Sequence, residues 1–386
     1  MKRSDFVTIG VLLGLCACSS SAGSPAAGAP GGRGSGASDA AALDGFMGDA
    51  DGAEAGDRDG AGDTDASGSS SDAAPTEGGT GSGVGLSSHY PGDVGIAKDP
   101  AVVWAELFDE GSVAAFTARY DSAANPPGMA LLSDVPAKSK SPASIKLTAS
   151  GDGANATDFY KSMDKGYEEW FVRWYAKYES SIKWHHTGVW FGGYEPALKY
   201  PDPRAGLKPA GNDLFSVSIE PVWNIGSAQA QFDFYNYWMN MRSWMAMPSG
   251  STAYYGNALV NENGFDVDET TWTCIEVHVT MNTDAASGAG GVLEVWKNDA
   301  LVASFTDAGP KGYWTRDKFC TPSADGKQCT DYPAAFDTVL DLQWRSTPSL
   351  QLNYFWPQNY VTDTGVTGSV QYADMIVATQ RVGCIP

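Results

Sequence analysis

The sequence predicts an all-β domain, a jelly-roll β-sandwich, that follows a disordered N-terminal spacer. Three observations lead to this fold class. Segments that alternate apolar and polar residues dominate the chain beyond residue 100, and a period of two is that of a β-strand. Turn signals such as Asn298-Asp299 separate these segments at short intervals, as they do in sandwiches and jelly rolls. No long amphipathic helical pattern accompanies them.

The first 18 residues have the pattern of an export signal. Lys2 and Arg3 precede an apolar run from Phe6 to Leu15, an arrangement typical of a signal peptide. The ending Leu15-Cys16-Ala17-Cys18 resembles the lipobox of bacterial lipoproteins. That resemblance implies that Cys18 is lipidated and that the mature protein is tethered to the cell envelope, at the outer membrane or cell surface, facing outward. An ordinary secretory signal is the alternative, with Cys16 as a rival lipid acceptor.

Residues 19–85 are predicted to be a disordered spacer. They are almost entirely Gly, Ala, Ser and Asp, and Phe46 is their only aromatic residue. Such a composition cannot bury enough apolar surface to offset the entropy lost on ordering. The acidic residues lack the Gly and Glu framing of a calcium-binding loop, so we predict no metal site in this segment.

Residues 86–386 are predicted to form the folded domain. All thirteen Trp lie beyond residue 100, and roughly 300 residues can bury one large core. The formal net charge is −21, which makes nucleic acid an unexpected partner. No apolar run of membrane-spanning length follows the signal, so we expect membrane contact through the lipid anchor only. A monomer is expected.

The clearest predicted strand covers residues 169–178, where alternation places Trp170, Val172, Trp174 and Ala176 on the core face. The other predicted elements are a short helix at 156–164 and strands at 144–149, 187–193, 214–222, 231–238, 273–281, 291–297, 300–306, 338–345, 350–356 and 369–380.

Four cysteines follow Cys18, and an even number in an exported domain predicts disulfides. Four cysteines allow three pairings. Cys320 and Cys329 flank a loop rich in Pro, Ser, Gly and Asp, which favours pairing them with each other and Cys274 with Cys384. The spacing does not fit a zinc finger.

The richest segment for chemistry covers residues 183–194, where His185 and His186 precede a strand with three glycines. Aromatic, amide and basic residues in later segments complete the composition of a carbohydrate groove, in which rings stack on sugars and polar groups meet hydroxyls. The candidate binding residues are Tyr175, Lys177, Trp190, Glu220, Tyr235, Arg345 and Gln358.

Each of these features also has a structural interpretation. The side of strand 169–178 that carries Arg173, Tyr175 and Lys177 is either a sugar-binding groove or a solvated outer face. The histidine pair is either catalytic or packed at a strand end, and the tyrosines either act in chemistry or pack within a sheet. His278 is expected to be a hydrogen-bonded structural residue.

The chain from about residue 100 to 386 resembles the concanavalin A-like lectin/glucanase superfamily and, within it, the alginate and glucuronan lyases. The resemblance rests on segments 172–175, 185–193, 293–299 and 372–379 and on Trp272 with Glu276. Where those lyases carry a Lys-x-Pro-Gly-x-x-Gly-Gly-like segment, this chain has the histidine pair. Their Ser-x-Arg strand corresponds to Ser218-Ile219-Glu220, and their paired tyrosines correspond to Tyr235 and Tyr237.

The resemblance implies β-elimination from a uronate-containing glycan. That reaction needs a group that neutralises the carboxylate, a base for the adjacent C–H proton, and an acid for the leaving oxygen. His185 or His186 is the candidate base, because His titrates near neutral pH. Tyr237 is the candidate acid, or both base and acid. Arg173 or Arg345 is the candidate partner of the carboxylate.

Three alternatives stay open. A non-catalytic carbohydrate-binding or adhesion module would use the same groove without a base. A glycoside hydrolase would need two facing carboxylates, but the Glu-x-Asp-x-x-Glu strand of the superfamily's glucanases is absent. A structural envelope protein would have the groove filled by a loop. No cofactor is expected, although a structural calcium, as in many superfamily members, stays open.

Overall fold

The computed structural model describes residues 84–179, 186–222, 230–243, 245–246, 252–260, 265–322, 329 and 335–386. The predicted signal peptide, the lipid acceptor Cys18, most of the predicted spacer and the candidate base His185 lie outside these residues. None of the described helices is long and apolar enough to cross a membrane.

Strands account for most of the regular structure. The first seven are β1 (Val102–Glu106), β2 (Ser122–Ala124), β3 (Met129–Leu132), β4 (Ser144–Ser150), β5 (Ala156–Tyr167), β6 (Glu169–Tyr178) and β7 (Thr187–Tyr194). The next six are β8 (Leu214–Val222), β9 (Gln231–Phe234), β10 (Met245–Ala246), β11 (Thr252–Ala253), β12 (Thr273–Thr280) and β13 (Val292–Lys297). The last six are β14 (Ala300–Phe305), β15 (Lys311–Thr315), β16 (Lys318–Cys320), β17 (Thr338–Val339), β18 (Leu352–Tyr360) and β19 (Thr367–Ala378).

Helical structure in the described residues is limited to short pieces. One α-helix, α1 (Val113–Thr117), begins at Ser112, whose side chain accepts a hydrogen bond from the backbone N–H of Ala115, as an N-cap does. Four short 3₁₀ turns cover Leu86–His89, Pro91–Asp93, Ile96–Lys98 and Pro126–Gly128. The prediction of an all-β jelly-roll sandwich is therefore confirmed.

Two large antiparallel sheets make up the sandwich. The eight-stranded sheet has the order β14-β13-β12-β6-β19-β4-β3, with β1 also paired to β19. The six-stranded sheet has the order β2-β5-β18-β7-β8-β9. A three-stranded sheet (β16-β15-β17) and the β10-β11 pair complete the described strands.

The core lies between the two large sheets. Trp170, Val172, Trp174 and Ala176 of β6 are buried in it, as alternation predicts. Tyr178 continues this face of β6, and its ring packs against Phe232 of the six-stranded sheet. Because directly opposed residues share a face, the register of β7, β8 and β9 then fixes which residues of the six-stranded sheet point to the core: Val189, Phe191, Val217, Ile219, Phe232 and Phe234.

Two element predictions are wrong. Residues 156–164 form part of strand β5 rather than a helix. That strand lies between β2 and β18, and its residues from Thr157 to Tyr160 are all buried, so both faces are covered and the clean alternation of a half-exposed strand is missing. Of predicted strand 338–345, only Thr338–Val339 is a strand, because the following residues turn to bury Leu342 and Trp344.

Both predicted disulfides are confirmed. Cys274 of β12 is bonded to Cys384, and Cys320 of β16 is bonded to Cys329. Glu276 ties the same C-terminal segment to β12, because its carboxylate accepts the backbone N–H groups of Val382 and Gly383. The C-terminus is thus fixed to the outer face of the eight-stranded sheet.

Candidate functional site

The glycines of β7 make room for a carboxylate on the face of the six-stranded sheet that points away from the core, which we call the site face. A Cβ at Gly188 would lie 2.2 Å from the carbonyl oxygen of Ile219 and 3.0 Å from Cγ of Glu220. The approach to the backbone oxygen of Ile219 is too short for any Cβ and the approach to Glu220 is tight, so glycine at 188 lets β8 and Glu220 lie this close to β7. His186 precedes the strand with a left-handed φ of 49°, an uncommon backbone conformation for a non-glycine residue.

Glu220 is a buried hydrogen-bond acceptor at the centre of this site. It is 2% exposed. Its Oε1 accepts the indole N–H of Trp190 at 2.5 Å and the hydroxyl of Ser218 at 3.1 Å. Its Oε2 lies 2.9 Å from Nδ1 of His186. A carboxylate that accepts from all three neighbours requires Nδ1 of the imidazole to be a donor, which leaves Nε2 as the atom able to accept a proton.

An aromatic wall surrounds the imidazole. The ring centroid of His186 lies 4.5 Å from that of Tyr235, 6.1 Å from Tyr360 and 6.3 Å from Trp190. Tyr237 stands behind Tyr235, and its hydroxyl donates to the hydroxyl of Tyr235 across 3.5 Å. Rings at these separations form a packed wall of the kind that contacts the apolar face of a sugar.

Burial sets the protonation of the two phenols. Removal from water raises the pKa of Tyr235 and of Tyr237 above the ordinary value, with desolvation as the largest cause for each. A buried phenol with a raised pKa stays protonated at neutral pH. Both tyrosines therefore carry a hydroxyl proton beside the imidazole that Glu220 holds.

The site face continues onto β18 and β5. Gln358 of β18 is paired in register with Gly188 on one side and with Asp158 of β5 on the other, so its amide lies in the same row of side chains as Glu220. Trp356 packs on Trp190 with 5.7 Å between ring centroids. Burial raises the pKa of Asp158 to about 6, and the nearby indole of Trp356 lowers it by a smaller amount. The indole N–H of Trp356 makes no hydrogen bond of normal geometry.

The structure places six of the predicted site residues on this face and the other described ones elsewhere. The structure brings together His186, Trp190, Glu220, Tyr235 and Tyr237, and it places Gln358 on the same face. Their roles in binding or catalysis stay predictions.

Arg173 does not join them, and its expected placement beside the histidines is wrong. It belongs to β6 of the eight-stranded sheet, on the face opposite Val172 and Trp174. The chain before β1 covers it there, and its Nη2 forms a fully buried ion pair with Asp93 at 2.5 Å. Its Nη1 donates to the carbonyl of Asp374. A guanidinium with these partners is a structural tie between the N-terminal segment and the sheet.

Tyr175 and Lys177 follow Arg173 on that outer face, so their expected place in the groove is wrong as well. The hydroxyl of Tyr175 accepts the backbone N–H of Ile385, and burial is the main cause that raises the pKa of this phenol to about 12. Lys177 pairs with Asp134 and lies over the ring of Trp272. Neither residue contacts the site face.

Arg345 is also committed elsewhere. Both of its terminal nitrogens bond the carboxylate of Glu168, and they donate to the carbonyls of Asn282, Pro348 and Leu350. Its expected role as a partner of the substrate carboxylate therefore has no geometric basis. In the part of the chain that the structure describes, no lysine or arginine bonds Glu220.

His278 is hydrogen-bonded, as predicted. Its two ring nitrogens each lie 2.8 Å from a carboxylate oxygen, of Glu294 and of Glu169, and its ring stacks on Phe171 at 3.9 Å. This group lies on the outer face of the eight-stranded sheet. Over the described ranges, no cluster of three or more His, Cys, Asp or Glu side chains is arranged to hold a metal ion.

Sequence reasoning missed three site-face residues: Tyr360, Trp356 and Asp158. The alternation of β18 could have found the first two, because Trp356, Gln358 and Tyr360 are spaced by two. The mistaken helix at 156–164 hid Asp158, since a strand there would have placed it opposite Gln358.

Comparison with known proteins gives only distant similarities. No known protein family matches the sequence, and no curated protein matches it. Among solved structures, the chain is similar to the alginate lyase Aly36B at 11% identity, covering 74% of this chain and 96% of that one, with a TM-score of 0.44. It is similar to a PL-14 alginate lyase from Aplysia kurodai at 12% identity, covering 72% and 99%, with a TM-score of 0.44. It is also similar to a carbohydrate esterase of a Shiga toxin-encoding bacteriophage at 12% identity, covering 73% and 99%, with a TM-score of 0.38. At these TM-scores the similarity identifies neither a family nor an activity.

Proposed function

We propose that the domain cleaves a uronate-containing polysaccharide by β-elimination. The observation that carries this proposal is the contact of a carboxylate-held imidazole, His186 on Glu220, with a pair of buried phenols, Tyr235 and Tyr237. A base and an acid of different proton affinity then stand on one sheet face, which is what elimination requires.

The proposed reaction takes one proton from carbon, shifts the electron pairs of two bonds and delivers one proton to the leaving oxygen. Nε2 of His186 removes the proton from the carbon next to the uronate carboxylate. The electron pair of that C–H bond forms a carbon–carbon double bond. The bond to the glycosidic oxygen breaks, and its electron pair leaves with that oxygen. The hydroxyl of Tyr237, relayed by Tyr235, protonates the departing oxygen. Gln358 takes the part first assigned to Arg173 and donates a hydrogen bond to the substrate carboxylate, which stabilises the charge that develops there.

The test is the ultraviolet absorbance of unsaturated product from alginate, glucuronan and related polyuronates. The variant His186→Ala should lower kcat about 10²–10⁴-fold, the usual contribution of a general base. Tyr237→Phe should lower it comparably. His89→Ala and Tyr200→Phe are matched controls, because both residues are exposed and lie outside the site. Absence of product with every polyuronate, or unchanged turnover in His186→Ala, would reject elimination.

Glu220→Gln tests the positioning role of the carboxylate. The amide cannot accept from all three neighbours, so the imidazole loses its fixed orientation and its tautomer. We expect kcat to fall while KM changes little, and the pH profile of kcat to shift. A loss of affinity with kcat unchanged would instead assign Glu220 to substrate binding.

Binding without turnover is the second candidate, and the absence of any described cation at Glu220 favours it. Glycan binding with no unsaturated product would identify this case. Hydrolysis is less well supported, because β7 and β18 separate Glu220 from Asp158. Three spacings of about 4.8 Å put their backbones about 14 Å apart, whereas paired carboxyl groups of glycosidases are about 5–9.5 Å apart.

The proposed location is the outside of the cell, with the domain tethered through a lipid on Cys18. Export and tethering would bring the domain to polymers too large to enter the cell. Metabolic labelling with a radioactive fatty acid should mark the full-length protein and not its Cys18→Ser variant. Labelling that is lost in Cys16→Ser instead would move the acceptor to the rival cysteine.

A further inference from the structure

A cavity lies apart from the residues around His186. It has a volume of about 260 Å³ and is lined by Lys208, Asn240, Arg242, Trp314, Thr338, Val339 and Asp341. Pockets for drug-sized ligands have volumes of about 300–1,000 Å³, so this smaller cavity suits one sugar unit. We call it the cationic pocket.

Two positive charges meet in the cationic pocket without a matching ion pair. Lys208 and Arg242 line the same pocket, and burial together with the neighbouring charge of Arg242 lowers the pKa of Lys208. In the described part of the chain neither forms a salt bridge. The single carboxylate of the pocket, Asp341, accepts hydrogen bonds from the side-chain amide of Asn240 and from the backbone of Gln343. Two adjacent cations are unusual in a chain whose net charge is −21, and a bound anion would relieve their repulsion.

The wall of the cationic pocket is aromatic and fixed. The guanidinium of Arg242 lies 5.8 Å from the ring centroid of Trp314, and this indole packs on Trp238 and Phe319. The amino group of Lys208 lies 5.6 Å from the ring of Tyr254. The indole holds the guanidinium over its ring, and a guanidinium fixed in this way offers a fork for a carboxylate, with apolar ring atoms next to it for the sugar.

The backbone ties the cationic pocket to the candidate site. Arg242 stands five positions after Tyr237, so at most about 18 Å of extended chain separates them. The side chain of Asn257 holds the backbone N–H and carbonyl of Arg242, and Asn257 is itself bridged to Asn236, between the two site tyrosines. The distance from Tyr237 to Arg242 is therefore fixed and can be spanned by one oligosaccharide.

We propose that the cationic pocket binds the carboxylate-bearing sugar unit of an acidic polysaccharide, at a position removed from the bond that is cleaved. Arg242 and Lys208 bind the carboxylate, Trp314 contacts the ring, and Asn240 meets the hydroxyls. The class of ligand in this inference rests on the proposed function, whereas the binding contacts rest on the pocket itself.

The experiment measures affinity by calorimetry for oligosaccharides of alginate and of glucuronan, with neutral cello-oligosaccharides as the second ligand. All measurements use the full chain with His186→Ala, so that turnover does not consume the ligand. Lys208→Gln/Arg242→Gln should weaken binding of the acidic oligosaccharides at least about tenfold, since two charge-assisted contacts are lost. The same variant should reduce the salt dependence of that binding and leave the neutral ligand unaffected.

The matched control is Lys98→Gln/Lys138→Gln, which removes two exposed lysines outside the pocket and changes the net charge equally. It should change affinity for the acidic ligands less than twofold. An equal loss of affinity in this control would show that the effect comes from long-range charge alone, and it would overturn the inference. So would a change below twofold in the pocket variant, an absence of binding to any acidic oligosaccharide, or equal competition by a sulfated glycan that lacks carboxylates.

The outcomes separate this inference from the proposed reaction. Pocket-dependent binding in a protein that yields no unsaturated product rejects elimination and supports the pocket. Elimination by the wild-type protein, together with binding that is indifferent to Lys208 and Arg242, supports the reaction and overturns the pocket.

Discussion

The buried ion pair of Arg173 with Asp93 gives the sharpest test of the division between structural and functional residues. Both side chains are fully buried, and no other carboxylate is bonded to the guanidinium in the described residues. Asp93→Ala would remove the only carboxylate bonded to this buried guanidinium and leave Asp374, which acts on Arg173 through its charge without a side-chain hydrogen bond. Breaking such a pair costs about 3–5 kcal/mol of unfolding free energy. At roughly 2 °C per kcal/mol, the low end for large domains, Tm should fall by about 6–10 °C.

Thermal and urea unfolding measure this loss. The control is Asp134→Ala, which removes the partner of Lys177, a residue on the same strand as Arg173. Asp134 is about half exposed, so the cost in unfolding free energy should be below about 1 kcal/mol. The double variant Arg173→Met/Asp93→Leu removes both charges and should recover most of the stability. It should also keep the wild-type rate of elimination. A folded double variant that has lost elimination would show that Arg173 takes part in the reaction. A fall in unfolding free energy below about 1 kcal/mol in Asp93→Ala would refute the argument from burial.

Two further perturbations follow from the structure. Burial raises the folded-state pKa of Asp158 from its usual 3.8 to about 6, so the native state holds this proton more tightly than the unfolded state and the wild type loses stability as pH rises from about 4 to about 6. Asp158→Asn has no charge to bury, so it should be more stable than wild type by up to about 3 kcal/mol at pH 7 and no more stable below pH 4. Urea unfolding across this pH range measures the difference, and a difference that does not depend on pH would contradict the prediction. Replacing Cys274 and Cys384 together by Ala opens a loop with a sequence separation of 110, whereas the pair Cys320 and Cys329 closes one of only 9. Loss of the Cys274–Cys384 disulfide should lower the free energy of unfolding by about 4–5 kcal/mol, and loss of Cys320–Cys329 by about 3 kcal/mol. Urea denaturation of the two double variants measures this, and the reverse order would contradict the argument from loop entropy.

The fold class could be predicted because alternation and turn chemistry are local properties. The period of two in 169–178 places Trp170 and Trp174 in the core whatever the rest of the chain does, and the composition of the loop between Cys320 and Cys329 is enough to favour their pairing. Strand β5 escaped prediction because its residues from Thr157 to Tyr160 are buried on both faces, so this part of the strand has no alternation to detect.

The candidate site could be predicted only in part, for a related reason. Alternation states which residues share a face of one strand, but it does not state which sheet that strand joins or what covers the face. His186, Trp190 and Glu220 come together because β7 and β8 are neighbours in the six-stranded sheet. Arg173 also has aromatic residues next to it in the sequence, yet its strand, β6, belongs to the eight-stranded sheet.

By itself the sequence determined the β-sandwich, the two disulfides and a set of residue types suited to carbohydrate. Only the tertiary structure decided which of those residues meet. It placed the imidazole, the carboxylate and the phenols on one face, and it buried both candidate arginines in ion pairs elsewhere. The physical reason is that strand pairing and ion pairing join residues far apart in the chain, such as Arg173 with Asp93 and Arg345 with Glu168, and such partners are chosen by the packed fold and not by local pattern.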